Sequence, residues 1–283
     1  MQSVPSLEKA YQECEKLAFS HYENFPVASW LLPKETRPHI AALYAFARIA
    51  DDFADEPRYE GKRRTLLDGW ERNLKAALKG KKSGPALVAF AGTIQKFDIP
   101  LSLPLALLRA FRMDLVKHRW SSWNSLLDYC RHSADPVGRM VLWISGVRDP
   151  KTLRYSDFIC SGLQLINFWQ DSSIDLKKGR IYYPRQLLKK HGIREKDLLN
   201  DHDSPQVRRM VREAVDFTES YFHRGFPILG SVSGRLKWEL KATVKGGQAI
   251  LDRIRALDYN VLAHRPVLTG WDKLRIGASL FFP

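Results

Sequence analysis

Apolar residues along most of this chain recur at intervals of three and four, whereas the alternation typical of β-strands is rare. This period places apolar side chains on one face of an α-helix. Gly and Pro residues fall between the periodic segments, where they favour turns. The pattern predicts an all-α protein with helices at Ser6–Ala18, Thr36–Glu56, Tyr59–Leu78, Pro85–Phe97, Pro104–His118, Ser125–Val147, Thr152–Lys177, Pro205–Phe226 and Leu236–Leu262.

Nothing in the sequence marks a linker between these helices, so we predict one domain spanning residues 1–283. A chain of this length with 45% hydrophobic residues can form a single large core. The three cysteines lack the spacing of a disulfide framework or a zinc site. The sequence shows neither a signal-peptide pattern nor an apolar run long enough to span a membrane. We therefore expect a cytoplasmic protein.

An acidic stripe lies in Ala45–Asp55, which reads Ala-Phe-Ala-Arg-Ile-Ala-Asp-Asp-Phe-Ala-Asp. On a helix its charged residues share one face, at i, i+3, i+4 and i+7: Arg48, Asp51, Asp52 and Asp55. Carboxylates this close repel one another unless a cation neutralises them, and oxygen ligands suit Mg²⁺. The alternative is a solvated helix end with unrelated acids.

A second polar stripe runs through Gln164–Asp175, where apolar residues occupy the other helix faces. Its members fall on one continuous face: Gln164, Asn167, Asp171 and Asp175. Two such helices facing each other would hold several Mg²⁺ ions that bridge the oxygens of a diphosphate. Two independent surface stripes are the alternative, and the repetition of the four-residue acid spacing argues against it.

The net charge of +14 is compatible with nucleic acid, an anionic membrane or a polyanionic small substrate. No nucleic-acid partner is expected, because the chain lacks a recognised motif and a basic–aromatic stripe. Lys177, Lys178 and Arg180 follow the second stripe. The lysines fit a helix C-terminus, whereas Arg180 and the nearby Tyr182 are favoured as substrate contacts, since arginine binds phosphate oxygens with a planar fork.

Two further strings accompany the acidic stripes. Tyr129–Gly138 reads Tyr-Cys-Arg-His-Ser-Ala-Asp-Pro-Val-Gly, and Ser20–Pro33 reads Ser-His-Tyr-Glu-Asn-Phe-Pro-Val-Ala-Ser-Trp-Leu-Leu-Pro. The two acidic stripes lie about 120 residues apart, and Arg48 precedes the first stripe. With these features, the two strings resemble the squalene/phytoene synthase family over nearly the whole chain. The resemblance implies a single-domain, class I terpenoid synthase-like helical bundle with a central active-site cavity.

Within this family, the strings 21–29, 136–139 and 167–171 are similar to bacterial enzymes of squalene and hopanoid biosynthesis. The resemblance implies that presqualene diphosphate is ionised with Mg²⁺, rearranged and captured by water, which gives hydroxysqualene and free diphosphate. No NADPH is expected, and the chain has no GxGxxG fingerprint. The alternatives are a head-to-head prenyltransferase that forms presqualene diphosphate, squalene or phytoene, and a non-catalytic relative that acts in assembly.

The resemblance also implies roles for individual residues. The implied metal ligands are Asp51, Asp55, Asn167, Asp171 and Asp175; the four aspartates and Tyr129 are the implied catalytic residues. The implied substrate contacts are His21, Asn24, Phe25, Tyr44, Arg48, Lys117, Ala134, Val137, Gly138, Gln164, Asn167, Arg180 and Tyr182. Lys117 also fits a surface lysine, His21 a structural histidine, and the three small residues close helix packing. Asp135 departs from the family pattern, in which a neutral residue such as Asn is expected.

The tail after Arg265 interleaves apolar residues with two basic ones, Lys273 and Arg275. It fits either a terminal segment docked on the core, which is favoured, or a basic amphipathic element on the inner face of a membrane. The expected partners are thus an isoprenoid diphosphate, a peripheral membrane contact and other enzymes of the squalene pathway that receive the product.

Overall fold

The computed structural model describes residues 6–20, 32–200 and 204–281. Helices form the regular secondary structure of these ranges, which confirms the all-α prediction. A single 3₁₀ turn, Pro57–Tyr59, accompanies the α-helices. The α-helices are α1 (Leu7–Ser20), α2 (Arg37–Asp55), α3 (Arg63–Ala77), α4 (Pro85–Phe97), α5 (Ser102–Asp114), α6 (Trp123–Ser133), α7 (Asp135–Ile144), α8 (Pro150–Gln170), α9 (Ser172–Lys177), α10 (Arg185–Lys190), α11 (Asp197–Asn200), α12 (Pro205–Gly225), α13 (Ile228–Ser231), α14 (Gly234–Ala256) and α15 (Gly270–Phe281).

The helices form two compact units. The first unit comprises the described residues up to Val116 together with Pro136–Leu153. The second comprises Lys117–Asp135 and the described residues from Arg154 onward. Each unit is therefore assembled from two separate stretches of chain, and the single-domain organisation stays a prediction.

The core of the first unit forms where α1, α2 and α4 pack together. Helix α2 has Pro38 in its first turn. Backbone N–H groups there have no partner within the helix, so the N–H that proline lacks costs no hydrogen bond. Its fully buried Phe46 stacks on Phe90 of α4, with ring centroids 4.4 Å apart. Burial of such aromatic side chains contributes on the order of 1.5–3 kcal/mol each. One face of α2 is thereby fixed in the core, and its opposite face carries the first acidic stripe.

His39 forms a buried polar contact inside this apolar core. Its Nδ1 lies 3.0 Å from the hydroxyl of Thr93, and that hydroxyl lies 3.1 Å from the Tyr11 hydroxyl. Burial lowers the pKa of His39 to about 4, and the neighbouring Lys96 acts in the same direction. The imidazole is therefore neutral in the folded chain at pH 7.

In the second unit, α8, α12 and α14 approach one another at glycines. A Cβ on Gly247 would lie 2.7 Å from the ring of Phe222, and a Cβ on Gly162 would lie 3.1 Å from the same ring. Phe222 is fully buried, so the two missing side chains make room for it. Trp169 of α8 also donates a buried hydrogen bond of 2.8 Å to Thr218 of α12. These contacts hold α8, the helix that carries the second polar stripe.

Two helices predicted as continuous are broken, and both predictions were wrong in this respect. The segment Ser125–Val147 divides at Ala134 into α6 and α7. Pro136 explains the break, because it has no N–H to bond the preceding turn and its ring clashes with a carbonyl there. The segment Thr152–Lys177 divides at Asp171 into α8 and α9, for a reason that lies in the site described below.

Four shorter or terminal helices were not predicted: α10, α11, α13 and α15. The first three have only four to six residues, too few for a helical period to stand out. No helix within the described ranges is long and apolar enough to cross a lipid bilayer.

Candidate active site

The first acidic cluster lies on the face of α2 opposite its buried side. Arg48 Nη2 is 2.6 Å from Asp52 Oδ1, and Arg48 Nη1 is 3.7 Å from Asp51 Oδ2. The Asp51 side chain is 49% exposed, whereas that of Asp52 is 22% exposed. Arg48 thus neutralises part of the acidic charge on its own helix, as the i, i+3 and i+4 spacing allows.

The ion pair of Arg48 and Asp52 leaves two buried atoms without a hydrogen bond, Arg48 Nε and Asp52 Oδ1. The pair is close but misaligned for hydrogen bonding, so its charges attract without full satisfaction of either group. Tyr44 lies one turn earlier and is half-buried. Burial raises the pKa of Tyr44, and the nearby Arg48 opposes that shift. The Arg48–Asp52 pair therefore keeps two buried polar atoms without a hydrogen bond beside the exposed Asp51.

The second cluster is built around the break at Asp171. Asp171 N donates to Asn167 O at 2.9 Å, and Asp175 N donates to Asp171 O at 2.9 Å. These i, i+4 bonds carry the helical register across the break, so the three side chains keep one face as predicted. Asn167 is exposed, and both aspartates are half-buried.

Ser172 accounts for the break in the helix. Its buried hydroxyl lies 2.8 Å from the carbonyl oxygen of Phe168, 3.1 Å from that of Trp169 and 2.9 Å from the hydroxyl of Tyr183. A serine that bonds the carbonyls of the preceding turn competes with the helix and bends it. Burial raises the pKa of Tyr183 well above its usual range, and its ring stacks on Trp169 with centroids 4.7 Å apart. The junction at Asp171 thus rests on a fixed buried support.

Arg265, which the sequence did not single out, contacts Asp171 directly. Its Nε donates to Asp171 Oδ1 at 2.7 Å, from a position 94 residues further along the chain. A second bond, from Gln170 Nε2 to the carbonyl oxygen of Pro266 at 2.8 Å, holds the same segment. The residues after α14 are therefore fastened to the second acidic cluster by two adjacent contacts.

An aromatic cluster lies beside the second acidic cluster. Phe168 and Tyr182 stack with centroids 3.7 Å apart and an interplanar angle of 7°. Tyr129 lies 6.1 Å from Phe168 and 5.0 Å from Trp120, again between ring centroids. Lys117 places its Nζ 4.1 Å from the centroid of the Trp120 ring. The structure thus brings together two residues named from the sequence, Tyr129 and Tyr182, with Phe168 beside them, and adds Trp120, which sequence reasoning missed.

The loop that carries Arg180 and Tyr182 is fixed by backbone hydrogen bonds. Arg180 N donates to Asp175 O at 2.8 Å, and Ile181 N donates to His118 O at 3.1 Å. Arg119 Nη1 donates to the carbonyl oxygen of Gly179 at 2.6 Å. Arg180 is half-buried at this position. The loop therefore holds a guanidinium next in sequence to the second acidic cluster.

The central string contains the break between α6 and α7. Ala134 forms the break, and Val137 packs against the core of the first unit. Asp135 is buried and accepts a hydrogen bond of 2.8 Å from Ser161 of α8. The carboxylate that departs from the family pattern is therefore satisfied inside the protein.

The remaining predicted residues divide into two groups. Gln164 is half-buried on α8, and Gly138 is half-buried on α7. His21, Asn24 and Phe25 lie outside the described residues. Within the described ranges, no three His, Cys, Asp or Glu side chains are gathered into a ready-made metal cluster.

The donor atoms of the two clusters fit a hard cation. Each cluster presents oxygen ligands from aspartate, supplemented by the Asn167 amide on the second, and Mg²⁺ is bound by such oxygens. Asp52 Oδ1 is buried without a hydrogen bond, and Asp171 Oδ1 is held by an arginine that a cation can displace. The residues are thus chemically suited to Mg²⁺, with each cluster supplying a few ligands.

Comparison with known proteins identifies the family of this chain. The model of the squalene/phytoene synthase family matches residues 20–272. The hydroxysqualene synthase of Rhodopseudomonas palustris is 36% identical over 82% of this chain and 78% of its own length. The 15-cis-phytoene synthase of Synechococcus elongatus is 27% identical over 96% of this chain and 92% of its own.

A solved structure gives the same result. The crystal structure of squalene synthase HpnC from Alicyclobacillus acidocaldarius has a TM-score of 0.85 at 40% identity, and the match covers 90% of this chain and 96% of that one. The terpenoid synthase-like class of the fold is thereby confirmed. The chain belongs to the squalene/phytoene synthase family and resembles its bacterial hydroxysqualene synthases.

Proposed function

We propose that this chain converts presqualene diphosphate and water to hydroxysqualene and diphosphate. In this reaction the carbon–oxygen bond to diphosphate breaks, the C30 cation rearranges, and water adds its oxygen and loses a proton. The relatives named hydroxysqualene synthase, 34–37% identical to this chain, support this choice within the family. The proposal includes no nicotinamide, because water completes the reaction.

One observation carries the proposal most strongly. The i, i+4 backbone bonds that join Asn167, Asp171 and Asp175 persist through a break in the helix. The polar face keeps its register across a break that the buried contacts of Ser172 produce. A face with this register can hold oxygen ligands at a regular spacing.

We assign the binding of Mg²⁺ to Asp51 and Asp55 on α2 and to Asn167, Asp171 and Asp175 on α8 and α9. Mg²⁺, when bound, acts as a Lewis acid that lowers the energy of the departing diphosphate. The aspartates of each cluster orient the ions, and the buried contacts of Ser172 keep the second cluster in place. Asp52 holds Arg48 in position on α2.

The cationic side chains bind the diphosphate in this proposal. Arg48 and Arg180 offer planar forks to phosphate oxygens, and Lys117 adds a point charge. His21, Asn24, Phe25, Tyr44 and Gln164 contact the substrate. These groups lower the energy of the leaving group as its negative charge develops, which is the principal requirement of the ionisation step.

The aromatic cluster stabilises the carbocation in this proposal. The ring faces of Tyr129, Phe168 and Tyr182 attract a cation through their quadrupoles but do not react with it as a carboxylate would. Tyr129 is the proposed catalytic residue of this cluster. Ala134, Val137 and Gly138 leave room for the isoprenoid chain.

A second candidate is head-to-head prenyl transfer, which forms presqualene diphosphate, squalene or phytoene. The phytoene synthase of Synechococcus elongatus matches 96% of this chain, which supports this candidate. Both reactions begin with the ionisation of an allylic or cyclopropylcarbinyl diphosphate, so both use the same acidic clusters.

Product analysis tests the proposal. Purified protein is incubated with presqualene diphosphate and Mg²⁺ without nicotinamide, and the extract is analysed by mass spectrometry. We expect hydroxysqualene, and we expect it to vanish when the metal is chelated. Conversion of farnesyl or geranylgeranyl diphosphate, with presqualene diphosphate left intact, would contradict the proposal and select prenyl transfer.

A further inference from the structure

Helix α15 exposes two large apolar side chains, Trp271 and Leu274. Trp271 is 79% exposed, Leu274 is 63% exposed, and Val267, just before the helix, is 54% exposed. Ala278, one turn beyond Leu274, is also exposed. Trp271, Leu274 and Ala278 fall at i, i+3 and i+7, which places them along one side of the helix. A surface helix of a soluble protein ordinarily turns such a stripe toward the core.

The other side of α15 is attached to the second unit. Arg253 of α14 donates from Nε to Asp272 Oδ2 at 2.8 Å and from Nη2 to the Thr269 hydroxyl at 3.0 Å. Thr269 N and its hydroxyl both donate to Asp272 Oδ2 at 2.7 Å, so this pair caps the start of the helix. The hydrogen bonds from Thr269 and Arg253 lower the pKa of Asp272 to about 2. The orientation of α15 is thus determined by bonds on its polar side.

The charge of this segment is complementary to an anionic surface. Residues 267–278 contain two basic residues, Lys273 and Arg275, and one acid, Asp272. That acid is bonded to Arg253, while Arg275 is exposed beside the apolar stripe. A helix with exposed tryptophan and leucine next to basic residues matches the chemistry of the lipid–water interface.

We infer that the face formed by Val267 and by Trp271, Leu274 and Ala278 of α15 binds the surface of an anionic lipid bilayer. The helix has 12 residues, too few to span the bilayer, so it lies in the interface. Trp271 and Leu274 enter the boundary between headgroups and acyl chains. Arg275 binds lipid phosphate groups. The inference rests on the exposure and charge of this helix and is independent of the reaction proposed above.

Flotation with vesicles tests this inference on the full chain. Vesicles of equal parts phosphatidylglycerol and phosphatidylcholine are compared with vesicles of phosphatidylcholine alone. We expect the protein to float with the anionic vesicles and to be released by high salt, because part of the attraction is electrostatic. The double variant Trp271→Ser, Leu274→Ser should bind at least about tenfold more weakly, since it removes two apolar side chains that the bilayer would bury.

A matched double variant, Phe19→Ser with Leu199→Ser, serves as control. It also removes one exposed aromatic and one exposed aliphatic side chain, 62% and 54% exposed, from other helices. We expect it to float as the parent protein does. Equal losses in both variants, or no flotation of the parent protein, would overturn the inference. So would a dimer in solution that the Trp271 and Leu274 changes dissociate, because that result would assign this face to a second copy of the chain.

Discussion

The guanidinium of Arg265 donates from Nε to Asp171 Oδ1 at a distance of 2.7 Å. Asp171 is the residue at which α8 and α9 separate, and it is also the first acid of the second pair. An arginine on this oxygen compensates the charge that a bound cation would compensate. The contact therefore links the segment after α14 to the proposed metal site.

Replacement of Arg265 should strengthen cation binding. In Arg265→Gln, a Mg²⁺ ion no longer competes with a guanidinium for Asp171, so its affinity should rise by several-fold, which is about 1 kcal/mol and the upper end of the range for a partly exposed ion pair. Calorimetric titration of the protein with Mg²⁺ alone measures this effect without turnover. Arg255→Gln, which removes an arginine paired with Glu219 and Asp252, is the control. An unchanged affinity in Arg265→Gln would show that Asp171 is not a metal ligand in this protein.

Ser172→Ala should destabilise the fold and disturb the second cluster. The substitution leaves the buried Tyr183 hydroxyl without its partner and removes the bonds that bend the helix. We expect a loss of about 1–3 kcal/mol in the free energy of unfolding, measured by urea denaturation. Ser173→Ala, at the adjacent half-buried position, should have a smaller effect. Equal stability of the two variants would contradict the role given to Ser172.

Two neighbouring glycines of α14 should respond in opposite ways to alanine. A Cβ on Gly247 would lie 2.7 Å from Phe222 and 2.9 Å from Leu163, so Gly247→Ala should destabilise the protein by about 1–3 kcal/mol. A Cβ on Gly246 meets no atom within 4 Å. Gly246→Ala should therefore stabilise the helix by up to about 1 kcal/mol. Thermal unfolding of the two variants checks both signs, and a stable Gly247→Ala would refute the close packing of α8, α12 and α14.

The stability of the fold should decrease on acidification because of His39. Its folded pKa is lowered to about 4 by burial and by Lys96, below the usual value of 6.5. Between these values the unfolded chain binds a proton that the folded chain excludes, so stability is full above pH 6.5 and falls as the pH approaches 4. Unfolding measured across this range should show a weaker pH dependence in His39→Asn. His264→Asn, which removes an exposed imidazole, is the control, and an equal change in both variants would contradict this assignment.

The helices that follow a clear apolar period could be predicted from the sequence. Helix α4 has the predicted bounds, Pro85–Phe97, and α2 differs from its prediction by one residue at each end. Capping chemistry and prolines mark such ends locally. The face shared by Asn167, Asp171 and Asp175 was predicted for the same reason, since helical spacing alone determines it.

Features that depend on distant contacts could not be predicted. The break at Asp171 requires Tyr183 beside Ser172, and the charge on Asp171 is met by an arginine 94 residues away. Trp120 joins the aromatic cluster only because the segment before α6 lies against the loop after α9. Periodicity describes the faces of one helix, and it carries no information about which other segment meets them.

In the proposed function, both acidic clusters act in one ionisation reaction. The most direct test measures the release of diphosphate from presqualene diphosphate by Asp51→Asn and Asp171→Asn, with Asp252→Asn, an exposed aspartate of α14, as the charge-matched control. Each cluster variant should lower kcat by at least about a hundredfold, since each removes a charge that stabilises the transition state, while the control retains the parent rate. A near-normal rate in either cluster variant would contradict the account.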